Sequence, residues 1–253
     1  MLPDFSQYGF PYPKNLIQAF IGGSQLHGAK VEGADDTDWY GVYIEPADKM
    51  IGLDRNEFFV FTTGGKEGGN GPADVDVCLY TLRKWAGMAA KGNPSALHFV
   101  FAKPAFSTPW WDDIRKNRNV FSSRAHLNPF LRFADDQMER LCGRKGQKNV
   151  HRAALERAHG YDTKYAMHVI RLYLEAKEYV ETGIITLPNP KVELLVEIRN
   201  GKYTQSEIEA MGKELQAEAI QAQSTSPLPE AVDLEVVSKL VTKIYLAFWN
   251  SRQ

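Results

Sequence analysis

The chain contains few of the features that characterise secreted or membrane-embedded proteins. Its 253 residues include two cysteines, Cys78 and Cys142, which lie far apart and do not indicate a disulfide framework. No apolar run approaches the roughly 18 residues that a transmembrane helix needs. The first residues show neither the basic nor the apolar region of a signal peptide. We therefore expect a cytoplasmic protein without a membrane span.

Neither sign of charge predominates in the sequence. Lys and Arg number 30 and Asp and Glu number 31, which gives a net charge of −1. This sum neither indicates nor excludes a nucleic-acid partner, because local patches of charge decide such binding. The hydrophobic fraction of 43% is ordinary for a globular protein. A chain of this length can bury one large core or two small ones.

Two aspartates, Asp36 and Asp38, directly precede or begin an apolar run that extends to Ile44. Residues two apart on a strand point to the same face, so these residues would direct two carboxylates at one point. Two close carboxylates repel each other unless a cation lies between them, and hard oxygen ligands suit Mg²⁺. The D-x-D pattern therefore predicts a divalent-metal site.

A pair of glycines, Gly22 and Gly23, ends the preceding apolar run. Glycine lets the backbone approach a ligand without a Cβ in the way. If a helix starts at Ser24, its free N–H groups face the same ligand and favour an anion such as phosphate. A phosphate loop next to a D-x-D pair predicts a site for a nucleotide and a metal.

The order of these motifs, Gly23-Ser24 and then Asp36-x-Asp38, resembles the signature of the DNA polymerase β-like nucleotidyltransferase superfamily. Further segments resemble one branch, the predicted nucleotidyltransferases that include RNA-ligase-associated members. These segments are residues 80–85 with 91–94, residues 160–164 with His168 and Arg171, and residues 197–203. The resemblance implies an α+β fold, with a small mixed sheet and helices as the nucleotidyltransferase core and a C-terminal helical domain.

The resemblance also implies a third carboxylate, on a strand beside the D-x-D strand. Asp74 and Asp76 share one face of a predicted strand over residues 74–80. Asp76 matches the family pattern better, and Asp74 is the alternative. In the family this carboxylate is the base for the acceptor hydroxyl and a metal ligand. The predicted catalytic and metal-binding set is therefore Asp36, Asp38 and Asp76, with Mg²⁺ or Mn²⁺ as the ion and an NTP as the substrate.

The pattern changes near residue 126, where long helical periods begin. We therefore predict a nucleotidyltransferase core over residues 1–125 and a helical domain over residues 126–253 that completes the nucleotide cleft. The first helix of this domain is predicted to begin at Pro129, with Asn128 as its cap. Two earlier stretches give weaker patterns. Residues 1–14 are predicted to form an extended arm, and residues 103–121 are predicted to be irregular.

Three basic side chains, Lys164, His168 and Arg171, recur at i, i+4 and i+7 on one predicted helix face. Periodicity alone favours a solvated basic face. The resemblance implies a nucleotide-binding role, in which this stripe and the Gly23–Ser24 loop contact the triphosphate from opposite sides.

Other features leave two interpretations open. The basic segment from Arg140 to Arg157 holds six cations and one acid, and it forms either a solvated surface or a grip on a nucleic-acid backbone. The glycine-rich residues 64–72 form either a flexible hairpin loop or a lid. His27 is expected on a helix surface, and His98 is expected to be a packed or surface residue without a chemical role.

Three functions follow from these observations. The first is transfer of a nucleoside monophosphate from an NTP to an acceptor hydroxyl, which the basic segment and the resemblance place on an RNA end, with release of pyrophosphate. The second is the same transfer to a protein or a small molecule. The third is a non-catalytic nucleotide-binding regulator, which would have no need for three converging carboxylates. The sequence specifies neither the preferred base nor the oligomeric state.

Overall fold

The fold combines one mixed sheet with many helices. The structure, a computed structural model, describes residues 2–29, 36–53, 56–63, 74–145 and 153–252. The strands are β1 Leu16–Ile21, β2 Thr37–Tyr43, β3 Phe58–Thr62, β4 Val75–Thr81 and β5 Phe106–Ser107. The helices are α1 Gly23–Leu26, α2 Ala47–Ile51, α3 Leu82–Ala90, α4 Pro94–Phe101, α5 Pro109–Lys116, α6 Leu127–Leu141, α7 Ala153–His159, α8 Thr163–Thr182, α9 Val192–Arg199, α10 Gln205–Gln223 and α11 Leu234–Asn250. The predicted α+β fold is confirmed.

The sheet has the strand order β3-β4-β2-β1-β5. Strands β2 and β4 are parallel neighbours, whereas the other neighbouring pairs are antiparallel. Since β2 lies at the centre of the sheet, its first residues adjoin both the end of β1 and the start of β4. This arrangement gathers residues from three distant parts of the sequence at one edge of the sheet.

One apolar core connects the sheet with the helices. Trp85 of α3 and Trp111 of α5 are both fully buried, and their ring centroids lie 4.7 Å apart. The same cluster extends from Ile17 of β1 to Phe248 of α11. Helix α8 packs against α6, α9 and α10. Because this apolar cluster includes residues on both sides of position 126, the division into two domains stays a prediction.

Helix α8 has a well-defined capping residue at each end. The Asp162 side chain accepts hydrogen bonds from the backbone N–H groups of Lys164 and Tyr165, at 2.9 and 3.1 Å. Gly183 ends the helix with a φ of +74°, a conformation that favours glycine. The sequence therefore defines both ends of this helix, which packs against α6, α9 and α10.

The start of α6 differs from the prediction. The helix begins at Leu127, with His126 at the capping position, so Asn128 is not the cap. The His126 ring is held by the Ala90 carbonyl and the Tyr179 hydroxyl, each at 3.1 Å. Pro129 is tolerated inside the first turn because its missing N–H would have no partner within the helix.

Two further expectations were wrong. The amino-terminal arm forms short 3₁₀ turns, and Phe5 and Phe10 pack against aromatic residues of the sheet. Residues 109–116, expected to be irregular, form α5 with Trp111 and Ile114 on its buried side. In the described part of the chain, no helix combines the length and apolar character that crossing a membrane requires.

Candidate active site

Three carboxylates meet at the edge of the sheet where β2 begins. Asp36 directly precedes β2, Asp38 is its second residue, and Asp76 lies directly opposite Asp38 on the parallel strand β4. Each offers a carboxylate oxygen, and these oxygens lie within 4.8 Å of one another. All three side chains are half-buried. We call this group the carboxylate cluster.

The alternative third carboxylate, Asp74, is engaged elsewhere. Its Oδ1 accepts a hydrogen bond from the Thr63 hydroxyl at 2.9 Å. The same hydroxyl accepts a hydrogen bond from the backbone N–H of Val75 at 2.7 Å. These bonds place Asp74 at the join between β3 and β4. The geometry therefore favours Asp76 over Asp74 as the third member of the carboxylate cluster.

The glycine loop between β1 and α1 lies directly against this cluster. The Gly22 N–H donates to the Asp38 carbonyl at 2.8 Å. A Cβ on Gly23, whose φ is +57°, would lie 1.8 Å from Oδ2 of Asp38, and a Cβ on Gly22 would lie 2.2 Å from the ring of Tyr40. Glycine is therefore required at both positions for the loop to approach β2. Ser24 follows in the single turn of α1.

A cavity of about 150 Å³ opens beside the glycine loop. Its lining includes Gly22, Gly23, Tyr40, Ser95, His98, His168 and Arg171. Burial, followed by the nearby carboxylate of Asp38, raises the pKa of the Tyr40 hydroxyl. The glycine loop, Tyr40 of β2 and two residues of α8 therefore line one cavity, whereas Asp36, Asp38 and Asp76 are not among its lining residues.

A second cluster, centred on Glu175 of α8, forms the inner wall of this cavity. Glu175 is fully buried and accepts hydrogen bonds from Arg171 Nη1 at 3.1 Å and from His98 Nε2 at 2.9 Å. His27 Nδ1 lies 3.2 Å from Glu175 Oε1, the oxygen that Arg171 also contacts. We call these four residues the Glu175 cluster. It links the segment after α1 with α4 and α8.

The charges of the Glu175 cluster compensate one another. Burial, together with the nearby charge of Arg171, lowers the pKa of His27 to about 3. His27 is thus neutral, with its Nε2 accepting from Arg171 Nη1 at 2.6 Å. Burial alone would raise the pKa of Glu175, but Arg171 and the two histidines hold that pKa well below its ordinary value. The cluster is an ion pair of Glu175 and Arg171 that two histidines support.

The ligand atoms of His27, His98 and Glu175 also lie within 4.8 Å of one another, as metal ligands would. However, Arg171 Nη1 already contacts both His27 Nε2 and Glu175 Oε1, at 2.6 and 3.1 Å. The guanidinium group thus occupies the position that a bound cation would take. This cluster is suited to hold an arginine, and the carboxylate cluster is the one that suits a metal ion.

The predicted basic stripe is only partly assembled at the cavity. His168 and Arg171 line it together with Gly23, whereas Lys164 lies one turn earlier on α8 and is not among the lining residues. Arg171 is 7% exposed, and its Nε has no hydrogen-bond partner among the described residues. The nucleotide-binding role of Lys164, His168 and Arg171 stays a prediction.

The basic segment is largely engaged or outside the described residues. Arg144 forms a salt bridge with Glu139 at 2.8 Å, and Lys145 pairs with Asp136 at 2.5 Å. Lys148 and Arg152 lie outside the described residues, as does the glycine-rich segment 64–72. Neither the nucleic-acid role of the basic segment nor the lid is tested by the structure.

Comparison with known proteins identifies the family. The family model RlaP, described as the RNA repair pathway DNA polymerase beta family, matches residues 5–235. The chain belongs to this family. The solved structure of a nucleotidyltransferase-like protein from Exiguobacterium sibiricum is similar over 87% of this chain and 74% of that chain, at 11% identity and a TM-score of 0.31. No curated protein matches the chain closely enough to count as a relative.

In this member of the RNA repair pathway family, the carboxylate cluster fits a divalent metal ion. Its ligands are all carboxylate oxygens, which Mg²⁺ and Mn²⁺ prefer. The missing side chain at Gly23 lets the Asp38 carboxylate occupy the space that a Cβ would fill. The three carboxylate donors therefore suit the divalent ion that the family generally uses.

The Glu175 cluster contains the residues that sequence reasoning missed. His27 was expected on a helix surface, but it is 6% exposed and contacts both Arg171 and Glu175. His98 was expected to have no chemical role, but it donates to a buried carboxylate. One signal was available, because Glu175 follows Arg171 by four residues and shares its helix face.

Proposed function

We propose that this protein transfers a nucleoside monophosphate from an NTP to a hydroxyl at an RNA end and releases pyrophosphate. The observation that carries the proposal is the contact between the glycine loop and the carboxylate cluster, in which Gly23 has room for Asp38 only because it lacks a Cβ. A glycine loop that lines the cavity thus lies against Asp38 of the carboxylate cluster. The RNA repair description of the family supports RNA as the acceptor.

The proposed reaction forms one bond to phosphorus, breaks another and transfers one proton. The acceptor oxygen forms a bond with the α-phosphorus, and the bond from that phosphorus to the bridging oxygen of pyrophosphate breaks. The hydroxyl proton passes to a carboxylate, and we assign this role to Asp76 because it lies on the neighbouring strand β4, whereas Asp38 contacts the glycine loop. The leaving pyrophosphate carries the negative charge.

Asp36, Asp38 and Asp76 would hold Mg²⁺ or Mn²⁺ ions, which neutralise phosphate charge and lower the pKa of the acceptor hydroxyl when bound. The chain's own residues bind the rest of the substrate. The backbone N–H groups of Gly23 and Ser24 face the phosphates at the start of α1. We assign the opposite side of the triphosphate to His168 and Arg171, with Lys164 one turn away.

The Glu175 cluster keeps Arg171 charged and fixed at this cavity. Its ion pair with Glu175 uses Nη1, whereas Nε, a further hydrogen-bond donor, has no partner among the described residues. A preorganised guanidinium stabilises the charge that develops on the phosphates in the transition state. His27 adds no positive charge because its lowered pKa keeps it neutral.

The proposal is tested by incubating the protein with each α-³²P-labelled NTP, Mg²⁺, cellular RNA and cellular protein. We expect label in a nuclease-sensitive product, and we expect Asp38→Asn to abolish it while Asp74→Asn retains it. Label only in a protease-sensitive product would replace RNA by a protein acceptor. NTP binding without transfer to any acceptor would instead favour a non-catalytic regulator.

A further inference from the structure

We propose that a surface groove leading away from the active-site cavity binds the single-stranded segment of the RNA acceptor. The groove follows the end of α3 and the first turns of α6 and then reaches α11. The inference rests on the proposed function for the identity of the RNA as acceptor. It is distinct from the basic segment 140–157, for which the sequence leaves open a solvated surface or a nucleic-acid contact.

Shared lining residues place three cavities next to one another. Ser95, at the start of α4, lines both the cavity beside the glycine loop and a second cavity of about 450 Å³. That second cavity shares Lys91, Pro129 and Arg132 with a third cavity of about 620 Å³. We call the second and third cavities together the acceptor groove. Through Ser95, this groove adjoins the cavity beside the glycine loop.

Positive charge lines the acceptor groove where its two cavities meet. Lys91 and Arg132 are both exposed, and neither forms an ion pair with an acid in the described part of the chain. Asp136 also lines the groove, but its carboxylate is bonded to Lys145 at 2.5 Å. Two uncompensated cations in a continuous groove match the regular negative charge of a nucleic-acid backbone.

An exposed aromatic ring lies beside these cations. Phe133 follows Arg132 on α6, lines the second cavity and is 41% exposed. Cations for the backbone together with an aromatic surface for a base are the combination that binds single strands without reading their sequence. This ring favours a single strand over a duplex, whose bases are stacked within the helix and cannot reach it.

The walls of the acceptor groove are fixed before any ligand binds. A Cβ on Gly92, whose φ is +72°, would lie 2.6 Å from the His126 ring, so the turn after α3 packs closely on the start of α6. The same ring bonds to the Ala90 carbonyl and the Tyr179 hydroxyl, each at 3.1 Å. Lys91 and Arg132 are therefore carried by elements held in a constant relation to each other.

The charge requirement is tested by fluorescence anisotropy with a labelled single-stranded RNA of about 12 nucleotides, within the range that such grooves bind. NTP and Mg²⁺ are left out, so binding is measured independently of transfer. We expect the double variant Lys91→Glu, Arg132→Glu to bind at least about tenfold more weakly and to lower the salt slope of log K by about 0.7 for each lost phosphate contact. Lys103→Glu with Lys116→Glu is the matched control, because these exposed lysines lie outside the three cavities.

The steric requirement is tested at Gly87, which lines the third cavity. A Cβ at Gly87 would meet no atom within 4 Å, so a larger side chain extends into the groove without disturbing the core. We expect Gly87→Trp to raise KM for a long RNA acceptor about tenfold or more while leaving KM for NTP and for a dinucleotide acceptor unchanged. Gly87→Ala, which adds one methyl group to the helix, is the control for folding.

The outcomes separate the groove from the reaction. RNA affinity that is the same in the wild type and the Lys91/Arg132 variant overturns the groove, as does a wild type that binds no RNA. Loss of RNA binding in that variant alone supports the groove even if no nucleotide transfer is found, and only the proposed function then fails. Affinity lost instead on reversal of Arg140 and Arg157 would return the RNA site to the basic segment.

Discussion

The carboxylate cluster lies against the glycine loop and the Glu175 cluster lines the cavity beside that loop, but the two clusters differ in how their charges are balanced. The first brings three side chains of like charge within 4.8 Å at a half-buried edge of the sheet. The second surrounds one fully buried carboxylate with an arginine and two histidines. Each has a geometry that could be mistaken for a metal site from distances alone.

The difference between them lies in where the compensating charge comes from. In the Glu175 cluster the chain supplies its own cation, Arg171, and burial then holds the arrangement together. In the carboxylate cluster the side chains that converge are all acids, so a cation from solution is the natural complement. Charge balance therefore distinguishes the two clusters: the balanced Glu175 cluster supports the site, and the unbalanced carboxylate cluster is the proposed reactive centre.

The largest difference between the two clusters is expected when a charge is removed from the carboxylate cluster. We expect Asp38→Asn to lower the transfer rate by roughly a thousandfold, because the transition state loses several kcal/mol of charge stabilisation. Each loss of about 1.4 kcal/mol lowers the rate tenfold. The free energy of unfolding should stay within about 0.5 kcal/mol or rise, because repulsion between like charges is relieved. Pyrophosphate release and thermal unfolding measure the two effects, and Asp74→Asn is the matched control. Full activity in Asp38→Asn would exclude this cluster as the reactive centre.

The opposite result is expected in the Glu175 cluster. Glu175→Gln removes the charge that balances the buried Arg171 and should lower the free energy of unfolding by about 3–5 kcal/mol. Glu218→Gln is the matched control, because its partner Lys177 lies on the same helix but in a surface salt bridge of 2.8 Å. That pair should contribute less than about 1 kcal/mol. Equal effects of the two variants in urea denaturation would contradict a structural role for Glu175.

Two alanine substitutions distinguish the effect of crowding the carboxylate cluster from the effect of backbone strain. Gly23 and Gly160 have φ values of +57° and +82°, but only a Cβ on Gly23 would meet another atom, Asp38 Oδ2. Both alanine variants should lose about 1–2 kcal/mol of stability through backbone strain. We expect Gly23→Ala alone to weaken NTP binding, by about tenfold, as measured by isothermal titration calorimetry. Equal NTP affinities of the Gly23→Ala and Gly160→Ala variants would mean that the glycine loop does not contact the nucleotide.

The smallest expected effect is on the pH dependence of stability. The folded-state pKa of His27, about 3, lies below its unfolded value of 6.5, so the unfolded state binds more protons between these values. Stability should therefore fall on acidification below pH 6.5, by up to about 1.4 kcal/mol per pH unit from this residue. His27→Gln should reduce that slope at pH 5–6, above the range in which Glu175 contributes. His126, whose pKa burial also lowers, should keep part of the slope.

Sequence reasoning succeeded where the signal was local. The strand that begins after Asp36 and the glycines before Ser24 are each determined within a few residues. The choice of Asp76 came from the family resemblance, and the structure places it opposite Asp38 on the neighbouring strand. The roles of these residues stay predictions.

It failed where distant contacts decide the structure. Helix α6 begins after His126, and not after Asn128, and the His126 ring bonds to the distant residues Ala90 and Tyr179. His27 is buried because Glu175, far away in the sequence, bonds to it. Neither contact leaves a periodic pattern in the sequence, so the Glu175 cluster becomes visible only once α1, α4 and α8 are placed together.

The most direct test of the account is Mn²⁺ binding, measured by electron paramagnetic resonance in the presence of an NTP. The account predicts that the wild type and Asp74→Asn bind Mn²⁺ alike and that Asp38→Asn binds it at least about tenfold more weakly, because the ion loses one of its anionic ligands. Equal Mn²⁺ affinity in the wild type and Asp38→Asn would contradict the central claim that the carboxylate cluster holds the metal.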